Sequence, residues 1–187
     1  MGLSASPADA DLQLGMAQAA LYRGSEPDLQ RVLDLLAGSE HPRAWRLRGL
    51  AFYLLKRFDE AVAALGRTLA SWPLDQLAWY NRGLAGLAAA HRQSARGQDP
   101  REAYGTAIAQ LTEALIRNPE FAIAYNSRGT LYSDLGQSEA ARGRDPRESY
   151  RKAVADFSEA LRRDPELGTA YHNRATVYAS LGEAEAG

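Results

Sequence analysis

Apolar residues recur along this chain in sets spaced three and four apart, broken by short stretches carrying Gly, Asp or Pro. That spacing is one face of an α-helix, and the breaks are helix ends. Leu14, Ala17 and Leu21 predict a first helix over 9–23, stopped at Gly24-Ser25. Leu29, Val32, Leu33 and Leu36 predict a second, with Pro27 in its first turn. Trp45, Gly49, Phe52 and Leu55 share one face of a third, ending near Lys56, and Phe58, Ala61, Val62, Leu65 and Leu69 one face of a fourth. Trp79, Gly83 and Leu87 begin a fifth helix, and Tyr104, Ala107, Leu111 and Leu115 mark a sixth. Tyr125, Gly129, Tyr132 and Leu135 mark a seventh, Tyr150, Ala153, Phe157 and Leu161 an eighth, and Tyr171, Ala175, Tyr178 and Leu181 a ninth.

The later helices are written almost twice. RGQDPREAY at 96–104 returns as RGRDPRESY at 142–150, and AYNSRGTLYSDLG at 124–136 returns as AYHNRATVYASLG at 170–182, an offset of 46 residues in both cases. Self-similarity at such a period marks stacked helical pairs, each burying the apolar side of the last. The segments expected are a disordered terminus at 1–8, a degenerate helical pair at 9–41, repeats at 42–75, 76–121 and 122–167, and a half repeat at 168–187.

The Trp/Tyr–Gly pattern on the first helices from residue 42 on, followed by an aromatic except at Gly86, and the Ala–Leu/Phe and Pro positions on the second helices resemble the tetratricopeptide repeat. Trp45, Gly49, Phe52, Ala61, Leu65 and Pro73 carry the resemblance at the family's own spacing. Trp79, Gly83, Ala107, Leu111, Ala114 and Pro119 carry it in an extended hairpin, as do Tyr125, Gly129, Tyr132, Ala153, Phe157, Ala160 and Pro165. The fold the resemblance implies is all-α, a right-handed α-α superhelix of about nine antiparallel helices. Small residues at Gly49, Gly83, Gly129 and Ala175 would let paired helices approach closely.

Two departures stand out. The repeats at 76–121 and 122–167 are longer than the family's 34 residues, and the Asp-Pro-Arg-Glu runs at 99–102 and 145–148 read as helix starts. Asp99 and Asp145 would cap, Pro100 and Pro146 would open the helix, and Glu102 and Glu148 would reach back. Both helices of each hairpin should then lengthen equally, to 76–96, 100–117, 122–142 and 146–163. An arginine also occupies a usually apolar slot at Arg48, Arg82, Arg128 and Arg174, with Glu113 and Glu159 as expected partners. Gly86, where other repeats carry an aromatic, predicts a local hollow.

Composition changes this picture little. A hydrophobic content of 45% with 24% charged residues belongs to a globular chain, and a net charge of −1 provides no general pull toward nucleic acid or acidic lipid. Without cysteine, disulfides and thiolate metal sites are excluded. The start MGLSAS fits a loose myristoylation pattern at Gly2 and Ser6, but reads better as a disordered end. The expectation is a soluble cytoplasmic protein without cofactor or metal, binding neither nucleic acid nor membrane.

Chemistry is sparse. His41, His91 and His172 have no metal-ligand spacing, and His41 and His91 read as surface residues. No catalytic constellation is legible, so the chain is expected not to be an enzyme. The resemblance instead implies a concave groove lined by first helices: Arg43, Arg46, Leu50 and Tyr53, then Leu77, Tyr80, Asn81 and Leu84, then Asn126, Ser127 and Thr130, and lastly His172 and Asn173. Its character runs from apolar, aromatic and basic to uncharged polar, suiting a protein or peptide partner. The family's clamp for chaperone tails would fall on Arg46, Leu50, Asn81, Ile123 and Ser127, of which only Arg46 and Asn81 are chemically suited. Two alternatives stay open: self-assembly through the last helix, where Tyr178 and Leu181 would lie uncovered, and a repeat segment of a longer enzyme.

Overall fold

The computed structural model describes residues 7–186. The Gly2/Ser6 pattern and all but the last two residues of the stretch expected to be disordered lie outside the described residues. Among these there are nine helices and no strand: α1 (Pro7–Arg23), α2 (Glu26–Leu35), α3 (Pro42–Leu54), α4 (Phe58–Ser71), α5 (Gln76–Ala95), α6 (Arg101–Arg117), α7 (Ala122–Ala140), α8 (Arg147–Arg163) and α9 (Gly168–Ala186). The chain divides into two compact units, after Ala85 within α5.

In the first unit α1, α2 and α3 pack on one another and α3 packs on α4. Leu14, Ala17, Leu29, Val32, Leu36, Ala44, Phe52 and Ala61 form its core. Burying a leucine or valine of this kind stabilises the fold by roughly 1.5–3 kcal/mol. The start of α2 is set by Ser25, whose hydroxyl accepts from the Asp28 amide at 3.3 Å. At the start of α3 the cap is His41, whose Nδ1 accepts from the Arg43 amide at 3.1 Å. The turn between α3 and α4 closes through Lys56 at φ 59°, with the Arg57 amide donating to the Phe52 carbonyl at 2.8 Å. Gly49 has no room for a side chain, since a Cβ there would lie 2.6 Å from Leu65 Cγ.

In the second unit α6 packs on α7, α7 on α8 and α8 on α9. Tyr150, Ala153, Phe157 and Val177 form one cluster, and Ala160, Leu161 and Ala170 another. Gly129 and Gly136 let α7 meet α8: their Cβ atoms would fall 2.7 Å from Phe157 Cε1 and 2.6 Å from Tyr150 Cε1. No hollow opens at Gly86, where a Cβ would lie 3.1 Å from that of Ala107. The missing side chain is taken up by close helix approach.

The long hairpins have the helix bounds expected to within two residues at every end, but their two helices do not lengthen equally. First helices gain most of the length: α5 and α7 have 20 and 19 residues against 13 in α3, while α6 and α8 have 17 against 14 in α4. The remaining residues form a turn. Gly97 (φ 75°) and Gly143 (φ 68°) close α5 and α7, and the next amides, of Gln98 and Arg144, reach back to the carbonyls of Gln93 and Glu139 at 3.1 and 2.9 Å. The second helices then start at Arg101 and Arg147, one residue past each proline. Asp99 and Asp145 accept from the amides of these arginines at 3.3 and 3.0 Å. They also bind the same arginines' side chains at 2.9 and 2.7 Å, so Asp and Arg, not Asp and Glu, form each helix start.

Adjacent turns are tied together. Arg142 Nη2 donates to the Gln98 carbonyl at 2.8 Å, and Arg144 Nη2 lies 3.3 Å from Asp99 Oδ2.

Candidate functional site

The arginines of the apolar slot do not use Glu113 and Glu159. Those acids pair along their own helices, with Arg117 and with Arg163. Arg128 instead forms two parallel hydrogen bonds of 2.7 Å to the buried carboxylate of Asp156 and donates to Thr112 Oγ1 at 2.9 Å. Arg174 donates to Ser158 Oγ at 3.2 Å. Three of the four lie over the aromatic one turn earlier: Arg48 over Trp45 at 4.0 Å, and Arg128 over Tyr125 and Arg174 over Tyr171 at 5.6 Å. Arg163 also lies over Tyr125, at 4.1 Å, and Arg67 lies 4.5 Å from the Trp45 ring. Arg128 and Arg174 are thus held between neighbouring helices by hydrogen bonds and ring contacts.

In the first unit, Arg43, Arg46 and Leu50 come together on α3. With Gln18, Leu21 and Tyr22 of α1 they line an open cavity of about 460 Å³. Tyr22 is 95% exposed. Arg46 Nε is buried, makes no hydrogen bond among the described residues, and sits 3.7 Å from Asp75 Oδ2. Tyr53 lies elsewhere, packed on the core with its ring 5.9 Å from Phe58. Leu77 is exposed on α5, and Tyr80, Asn81 and Leu84 are half-buried there. Gln18, Leu21 and Tyr22 are not among the expected groove residues, because the sequence marks the opening pair only as a degenerate helical pair. Their i, i+3, i+4 spacing was the available signal.

In the second unit, Asn126 and Asn173 meet, with Asn173 Nδ2 donating to Asn126 Oδ1 at 3.3 Å. Ser127 and Thr130 are half-buried, Thr130 Oγ1 donating to the Asn126 carbonyl, and His172 is exposed. On α9, Tyr171 and Tyr178 are 49% and 55% exposed, whereas Leu181 packs against the Tyr150 cluster and is not uncovered. His91 is not a bare surface residue either: its Nε2 lies 2.8 Å from Asp134 Oδ2. That hydrogen bond raises the imidazole pKa above its ordinary value.

Among the described residues no group of His, Cys, Asp and Glu could hold a metal ion. No described helix is long and apolar enough to cross a membrane.

Solved structures share this architecture. A MamA fragment (41-end) from Desulfovibrio magneticus is similar at 21% identity and TM-score 0.64, over 97% of each chain. The TPR domain of Arabidopsis OM64 is similar at 21% identity and TM-score 0.58, over 73% of this chain and 93% of that one. The first TPR of Spaghetti (RPAP3), bound to the HSP90 peptide SRMEEVD, is similar at 15% identity and TM-score 0.60, over 77% and 95%. At these identities the likeness is one of fold. Among curated proteins none matches the sequence. Tetratricopeptide repeat profiles match residues 14–66 and 56–93, and residues 111–143, together more than half of the chain. With the helical pairs, small-residue contacts and aromatic positions described above, the chain belongs to the tetratricopeptide repeat family.

Proposed function

We propose that the chain is a non-catalytic scaffold that captures a protein partner, as a peptide or a helix, on its first-helix faces. The observation that carries this reading is the α1–α3 cavity. There Leu21, Leu47 and Leu50 line the same cavity as Arg43 and Arg46. An apolar side chain seated against those leucines would bring a neighbouring carboxylate within reach of the guanidinium groups, where charge-assisted hydrogen bonds are strong. The RPAP3 domain, a fold neighbour, is bound to an acidic peptide, which supports the class of ligand. The clamp positions do not support the same ligand, because only Arg46 and Asn81 suit it.

Random peptides displayed on phage and selected on the whole chain test the reading. Selected sequences should pair apolar with acidic residues, and Arg46→Glu and Tyr22→Ala should each weaken them at least tenfold with helicity unchanged. Peptides that bind both variants as tightly as the parent would refute it.

A second reading is self-assembly through α9, favoured by the exposure of Tyr171 and Tyr178 on one face. Sedimentation that stays monomeric at high concentration removes it.

A further inference from the structure

Successive copies at the 46-residue offset serve as controls for each other, α5–α6–α7 against α7–α8–α9. A residue kept in both copies serves the shared packing, and one that differs is not required by it. Tyr104 is kept as Tyr150. His91, Ser94, Asp134 and Ser138 become Gln137, Ala140, Ser180 and Ala184. These four polar residues, absent from the second copy, converge around one open cavity of about 430 Å³ formed by α5, α6 and the end of α7.

Its walls have distinct chemistry. His91 and Asp134 are joined at 2.8 Å, and the His91 ring stands edge-on to Tyr104 with centroids 6.1 Å apart. The buried Tyr104 hydroxyl has its pKa pushed up to about 12 by burial and the Asp134 charge, so it remains a neutral donor. Arg142 closes the end. It donates to Ser138 Oγ at 2.8 Å, to the Ser138 carbonyl at 3.3 Å and to the Gln98 carbonyl at 2.8 Å. Among the described residues its guanidinium meets only neutral oxygens. The nearby Glu139 carboxylate is held by the Ser149 hydroxyl at 2.7 Å.

We propose that this cavity binds a small organic carboxylate of amino-acid or hydroxy-acid size. Asp134 is engaged by His91 at 2.8 Å, whereas the Arg142 guanidinium meets only neutral oxygens and has no carboxylate of its own among the described residues. A carboxylate satisfies it with charge-assisted hydrogen bonds. A hydroxyl or amino group on the adjacent carbon would reach the His91–Asp134 pair, and the carbon skeleton would lie over Tyr104, Ala95 and Ala141. The volume falls in the lower range of small-molecule pockets.

Backbone NMR of the full chain, titrated with glycolate, L-lactate, L-malate, L-alanine and L-glutamate, tests the site. At least one acid should give saturable shifts at Ser94, Gln137 and Ser138, with a dissociation constant below about 10 mM. Lactamide, lacking the charge, should give none. Arg142→Gln should weaken binding at least tenfold. Because Arg142 also ties two turns, a second variant carries His91→Gln with Asp134→Ser, residues that the second copy already accommodates; it should fold and lose the response. No saturable shift with any acid, an equal response to lactamide, or unchanged affinity in the second variant overturns the proposal.

Discussion

Arg128 and Asp156 face each other across the α7–α8 interface through two hydrogen bonds of 2.7 Å, with the carboxylate almost wholly buried. Burial pushes the Asp156 carboxyl above the ordinary carboxylate range, against the pull of Arg128. The pair therefore offsets its own desolvation more than it adds stability, and its value lies in fixing the register of two helices. Asp156→Ala, which strands the arginine, should cost about 3 kcal/mol in urea unfolding. Adding Arg128→Leu, the family's usual apolar choice, should recover most of that loss.

Glycines in the second unit should respond oppositely to the same change. Gly129→Ala drives a methyl into the Phe157 ring and should destabilise by about 1–3 kcal/mol. Gly105 in α6 has nothing within 4 Å of a built Cβ, so Gly105→Ala should stabilise by up to about 1 kcal/mol through helix propensity. Thermal unfolding of the two variants checks the signs.

Lys56 holds a left-handed backbone that a side chain disfavours by roughly 1–2 kcal/mol. The longer hairpins use glycine at the same point of the turn. Lys56→Gly should raise the unfolding midpoint, the gain reduced by the extra freedom of glycine in the unfolded chain.

The paired aspartates Asp99 and Asp145 give an acid-sensitive term. Hydrogen bonds from the arginine two residues on hold both carboxyls at about 2, well below their ordinary 3.8. A lowered folded-state pKa contributes stability present above the unfolded value and lost as pH falls toward the folded one. Stability should decline between about pH 4 and pH 2, and Asp99→Asn with Asp145→Asn should flatten the curve in that window.

His91 has the opposite sign. Its pKa is raised by the Asp134 hydrogen bond, so its contribution is full at low pH and fades as pH rises through the folded value. Asp134→Ser should move the His91 titration, followed by its ring proton resonances, to lower pH.

Helix positions were largely legible in the sequence, because 46-residue repetition and three-four spacing report on burial that every pair must satisfy. Partners of buried charges were not. Glu113 and Glu159 are polar and correctly spaced, but i, i+4 neighbours on their own helices claim them. Asp156 sits beside Phe157 in a run that reads as core, and its burial shows only once α7 is placed against α8. The candidate surface was half legible: Arg43, Arg46 and Leu50 follow from family register, whereas Tyr22 belongs to a pair too degenerate to match it. Helix ends in the long hairpins were legible to within two residues, but not how unequally the two helices lengthen, because residue count cannot say how much of an insertion a turn consumes.

The ties between adjacent turns, from Arg142 to the Gln98 carbonyl and from Arg144 to Asp99, lie at the hairpin tips. In a stack whose stability is summed over neighbours, they couple the tips of the two long hairpins in addition to the helix packing. A tip so coupled cannot fray alone. Local opening here should involve two hairpins together, so amide exchange at Gln98 and at Arg144 should follow a common opening event.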